Sequence, residues 1–199
     1  MSETRAIDRP ATWVQAAIGT ASFVALLWLV EVVDTADHHR LDAYGVRPRD
    51  GEGLLGIVFA PLLHRGWEHL GANTVPILVL GFLTLVGGIA RGVLVTAVIW
   101  AVSGLGVWLI SPTNSITIGA SGLIFGWLVY LVVRGFVTRR AGEIILGLVL
   151  VFLYGGILFG VLPGTPGVSW QAHLFGAVGG LVAALWVSER SRSRSPSRL

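Results

Sequence analysis

Six apolar runs, at about residues 12–33, 69–90, 92–110, 119–137, 143–161 and 170–188, leave this chain few ways to fold. Each is long enough, or nearly so, to cross a hydrocarbon layer about 30 Å thick as a helix. In lipid the backbone has no water to bond, so a spanning run satisfies itself by coiling into a helix. The expected fold class is an all-α membrane protein, a bundle of six transmembrane helices spanning 12–188. The one long connection, 34–68, lies between the first and second runs and carries most of the acids together with Arg40, Arg47 and Arg49. Its apolar piece, Leu54 to Leu63, is too short to span and is expected to lie in the interface or re-enter it.

Composition decides between two readings of the charge. A pI of 10.2 would suggest nucleic acid in a water-soluble chain. Here 54% of residues are hydrophobic and 13% charged, and every basic residue is Arg, mostly in short segments between runs. That pattern marks topology rather than a nucleic-acid face. Arg5 and Arg9 precede the first run, Arg91 separates the second and third, Arg134, Arg139 and Arg140 end the fourth, and Arg190 to Arg198 follow the sixth. With six spans these regions share one face, cytoplasmic by the positive-inside rule. The expectation is a multi-pass protein of the cell membrane with a cytoplasmic segment 1–11, a disordered basic cytoplasmic tail 189–199, and the loop 34–68 outside. The first run is longer than a signal-peptide core and lacks a clear cleavage site, so it reads as a retained span. With no cysteine there are no disulfides and no thiolate metal sites.

A few polar residues interrupt this apolar background. Gly119-Ala120-Ser121-Gly122 opens the fourth run, placing a serine at a helix start, where unpaired amides favour negative charge. Such a serine is a nucleophile if a base reaches it; the alternative is close helix packing through Gly122 and Gly126. His69 and Asn73 begin the second run and His173 begins the sixth. Runs two, four and six cross in the same direction, so these residues share one level, and counting to the cytoplasmic charges sets Ser121 and His173 about 5–10 Å below the outer boundary. Polar groups at that depth are costly and mark a cavity or a site. Ser121 with His173 supplies nucleophile and base, the minimum for acyl transfer. His69 and Asn73, four apart on one helix face, could donate to an oxyanion. No acid lies at a matching place on the later runs, so a dyad is expected, with Phe125, one turn below Ser121, packing on the imidazole. Each polar residue has a plainer alternative as a helix cap or interhelical hydrogen bond. A metal site would need carboxylates or thiolates that are missing here. His38 and His39 read as solvated loop residues, and Glu31 as facing the bundle or interface.

These residues carry a family resemblance. His64-Arg-Gly-Trp-Glu-His69-Leu-Gly-Ala-Asn73 resembles the HxxxxHxxxN segment of rhomboid proteases, Gly119-Ala-Ser121-Gly122 their GxSG, and Ala172-His173-Leu-Phe-Gly176-Ala-Val-Gly-Gly180 their AHxxGxxxG. The resemblance covers the six-helix core and implies Ser121 as nucleophile and His173 as general base and then acid. It implies an oxyanion hole of His69, Asn73 and the Ser121 N–H, a structural His64, and Gly176 and Gly180 as the close-packing face of the sixth helix. The implied activity is intramembrane serine proteolysis without a cofactor, on single-span membrane proteins within the bilayer; the arginine distribution, which puts loop 34–68 outside, has the site open outward. A non-catalytic relative that binds or escorts transmembrane helices is the competing expectation. Two departures stand out: loop 34–68 has no Trp-Arg pair, and Phe125 replaces the tyrosine of some members.

Overall fold

The computed structural model describes residues 11–193, with side chains to Val187. Six helices are long and apolar enough to span: α1 Thr12–Ala36, α2 Trp67–Val86, α3 Ile89–Ile110, α4 Ser121–Thr138, α5 Ala141–Val161 and α6, which begins at Trp170 and is helical to Ser193. Among the described residues there is no strand, only an isolated bridge between Val46 and Thr117. The chain is an all-helical, multi-pass membrane protein.

Burial ranks the helices. In α4 56% of the spanning window is buried, against 11% in α5, so α4 is the axis and α5 the rim. Leu123, Ile124, Leu128, Tyr130 and Leu131 of α4 form the centre of the core with Leu27, Leu70, Ile77, Leu80, Val95 and Ile99. Lipid tails are as apolar as these side chains, so association depends on close packing. Glycine supplies it: a Cβ on Gly176 would strike the Gly122 carbonyl, and one on Gly180 the Gly126 carbonyl. Gly122 and Gly126 thus serve packing as well as placing Ser121. Gly176→Val should destabilise the bundle by about 1–3 kcal/mol, as overpacking does, read as an earlier thermal transition in detergent; an unchanged transition would refute this contact.

Several boundaries differ from the sequence expectation. The break between the second and third runs falls at Gly87 and Gly88 rather than at Arg91, because Gly88 adopts φ +137°, a conformation that terminates a helix and suits glycine alone. Within α2, Pro76 cannot donate to the helical ladder, and the chain passes through a π-helical turn, Ile77–Gly81, before resuming at Phe82. The sixth helix continues past the expected end at 188 because neither Gly nor Pro interrupts it before Pro196. Residues 189–193, expected as part of a disordered tail 189–199, are helical, while 194–199 lie outside the described residues, as does nearly all of segment 1–11.

The long loop is tied down rather than free. Its short helices, Glu52–Leu62, lie against α3, where Ile57 fills the space beside Gly104 and its carbonyl accepts from Trp100 Nε1 at 2.6 Å. Arg49 donates to the carbonyls of Leu109 and Ser111 (2.8 and 2.7 Å), and Trp108 Nε1 donates to the Asp50 carbonyl at 2.9 Å. At the other end of the bundle, Arg134 pairs with Glu143 at 2.6 Å across the α4–α5 turn.

Candidate active site

Ser121 is the first residue of α4 and His173 sits in the first turn of α6, and the glycine contacts bring those two turns together. His173 Nε2 and Ser121 Oγ are 2.9 Å apart. His173 Nδ1 lies 2.9 Å from the Gly160 carbonyl. A carbonyl only accepts, so Nδ1 carries the imidazole proton, Nε2 is left as the acceptor, and the serine hydroxyl donates to it. Gly160 therefore does for orientation what a carboxylate does in a triad. The Phe125 ring lies 4.0 Å from the imidazole at 8°, a parallel stack that fixes the ring plane. His173 is 9% exposed, so its imidazole is shielded yet reachable.

Gly119 makes the approach to Ser121 possible. Its φ of +119° turns the chain into α4, and the His69 ring occupies the space where a Cβ would stand. The Arg65 N–H approaches His69 Nδ1 at 3.3 Å. An amide N–H only donates, so in the neutral ring the proton is on Nε2, a donor next to the turn that presents Ser121. Asn73 is 6% exposed, and its Nδ2 has no hydrogen-bond partner among the described residues. An unpaired buried donor is costly in the resting fold. The Ala120 carbonyl takes the Leu123 and Ile124 amides, while the Ser121 amide precedes the helical ladder and stays available.

His64 is 1% exposed and supports the same turn, with Nε2 facing the Ala120 N–H at 3.4 Å and its ring edge-on to His69 at 5.2 Å. Burial, then the neighbouring His69, holds its pKa down at about 3. In an unfolded chain it titrates near 6.5, so below that pH the unfolded state takes a proton that the folded state refuses, and stability falls as pH drops from about 6.5 toward 3. At about 1.36 kcal/mol per pH unit, this group removes about 2 kcal/mol between pH 6.5 and 5. His64→Gln should show a shallower loss of melting temperature over that interval; an equal slope would assign the acid sensitivity elsewhere.

All ten sequence-derived positions, His64, His69, Asn73, Gly119, Ser121, Gly122, Phe125, His173, Gly176 and Gly180, lie in or directly beneath this cluster. Two contributors had no signal in the sequence. Gly160 acts through a main-chain carbonyl, which any residue carries. Ser103 of α3 donates to the Ala172 carbonyl at 2.9 Å and anchors the turn that bears His173, but it reads as one small residue among many.

The family model described as the Rhomboid domain matches residues 51–190. An uncharacterized protein of Mycobacterium tuberculosis is 50% identical over 197 residues, covering 95% of this chain and 82% of its own. An uncharacterized protein of Mycobacterium leprae is 46% identical over 195 residues, covering 93% and 76%. A Bacillus subtilis protein with the provisional name rhomboid protease YdcA is 31% identical over 134 residues, covering 66% of each chain. No solved structure matches the chain.

Proposed function

The chain belongs to the rhomboid family, and from that premise we propose that it is a serine endopeptidase that cuts a peptide bond in or near the transmembrane segment of another membrane protein. The observation that carries the reading is the Ser121 Oγ to His173 Nε2 distance of 2.9 Å, with the imidazole held by Gly160 and Phe125. In the first step Ser121 Oγ attacks the scissile carbonyl carbon and its proton passes to His173 Nε2. The oxygen of the resulting tetrahedral species accepts from Asn73 Nδ2, His69 Nε2 and the Ser121 N–H. When it collapses, the C–N bond breaks and His173 returns the proton to the leaving amine. Water, deprotonated by the same Nε2, then attacks the acyl-serine, and Ser121 leaves with its proton restored. No cofactor enters this sequence.

A helix hides its carbonyls, so the substrate segment must unwind before attack; small residues and helix breakers at the cut favour this, and single-span proteins are the substrate class. The test is incubation of the purified full chain in lipid with a single-span substrate. Two fragments that meet at a small residue support the activity. An intact substrate would instead favour a non-catalytic partner of transmembrane helices.

Orientation is part of the proposal: termini cytoplasmic, loop 34–68 and the mouth of the site external. The chain has no cysteine of its own, so single cysteines report cleanly. Gly51→Cys, where a side chain meets nothing within 4 Å, should label with an impermeant thiol reagent in intact cells, and Thr138→Cys only after lysis. Labelling of Thr138→Cys from outside would reverse the topology.

A further inference from the structure

A second polar cluster stands at the far end of α1, apart from the dyad. Glu31 and Asp34 share one face of the last turns of α1, and each is 1% exposed. The loop that follows folds back over them: Asp34 Oδ1 accepts the Leu41 N–H at 2.8 Å, and Asp34 Oδ2 lies 3.3 Å from His39 Nδ1. One ligand atom each from Asp34, His39 and Asp42 lies within 4.8 Å of the others. Glu31 is in electrostatic reach of the same three residues, and its Oε1 is buried with no hydrogen-bond partner among the described residues. Asp42 Oδ1 is likewise buried and unpaired.

Three carboxylates gathered under a loop repel one another, and the charges that counter them are partial: Arg65 acts on Asp42 electrostatically without forming an ion pair, and His39 lies 3.3 Å from Asp34. Arg40 pairs with Asp37, Arg47 with Asp50 and Glu52, and Arg49 with backbone carbonyls. Among the described residues no arginine forms an ion pair with Glu31, Asp34 or Asp42. The carbonyl end of α1 adds further negative potential at the same place. A divalent cation answers all three conditions. Carboxylate oxygens with one imidazole suit zinc or manganese better than calcium or magnesium, which prefer oxygen alone. Ligands held at roughly 2.0–2.1 Å around a tetrahedral zinc stand roughly 3.3 Å apart, and the Asp34 and His39 atoms already have that spacing.

We propose that Asp34, His39 and Asp42, backed by Glu31, bind one divalent ion of the zinc or manganese class that pins the first loop to the end of α1. The pinned segment leads straight to the site. Gly45 packs on Ile116 and Ile118, Val46 exchanges hydrogen bonds with Thr117 at 2.9 and 3.1 Å, and Gly119 follows. The ion thus steadies the turn that presents Ser121 without touching the reacting atoms. This inference does not depend on the proteolytic reading.

The test uses the full chain without a polyhistidine tag, stripped with chelator and returned to zinc chloride, manganese chloride or magnesium chloride. Bound metal per chain after gel filtration and the thermal transition are both measured. The expected result is one zinc or manganese ion per chain and a higher melting temperature, with magnesium inert. His39→Gln, on the exposed rim, and Asp42→Asn should each weaken binding at least tenfold and lose the metal-dependent rise. Wild-type binding no tighter than in His39→Gln would overturn the proposal. So would a metal-free chain that gains the same stability from acidification alone, which would make the cluster a proton-sharing group.

Discussion

Ser121→Ala and His173→Ala are each expected to abolish cleavage of a single-span substrate, with a loss on the order of 10⁴-fold or more, while the protein still folds. Nucleophile and base act as a unit, so removing either costs about as much as removing both. The double variant should therefore be no worse than the singles. The structural cost is small for Ser121→Ala, because that hydroxyl hydrogen-bonds His173 Nε2 at 2.9 Å, and such a bond is worth about 0.5–1.5 kcal/mol. His173→Ala also leaves Phe125 without its stacked ring and should melt earlier. Robust cleavage by purified Ser121→Ala would end the serine-protease reading.

Asn73→Ala should lower kcat by up to about 2.7 kcal/mol, on the order of 10²-fold, with little change in KM. The loss is confined to kcat because Asn73 Nδ2 has no hydrogen-bond partner among the described residues and would find one only when the oxyanion forms. Water in the site and the remaining donors keep it at the lower end of what one oxyanion donor is worth. Stability should move by less than about 1 kcal/mol, since interhelical hydrogen bonds in membranes average about 0.6 kcal/mol and this nitrogen makes none. Full kcat with a markedly earlier melt would assign Asn73 to packing.

The bundle was legible in the sequence because lipid leaves the backbone one solution: a run such as 170–188 has to be a helix. The dyad was legible because polar groups on spans are rare, so Ser121 and His173 stood out at matching depths. Boundaries were less so. Arg91 looked like a loop residue by its charge, yet Gly87 and Gly88 end α2, and the arginine lies within α3. Contributions that use the main chain, such as the Gly160 carbonyl, leave no trace in side-chain chemistry. The cluster at Asp34, His39 and Asp42 was hidden for another reason. His39 read as a solvated loop residue, and only the left-handed backbone at His38 and His39, φ 56° and 58°, turns the chain back over Asp34.

The most direct test of the dyad is covalent labelling by a fluorophosphonate probe, which phosphonylates a serine only when a base activates it. The wild-type chain in detergent should be labelled at Ser121, with label absent from Ser121→Ala and strongly reduced in His173→Ala. An unlabelled wild-type chain, or equal labelling of wild type and Ser121→Ala, would contradict the account.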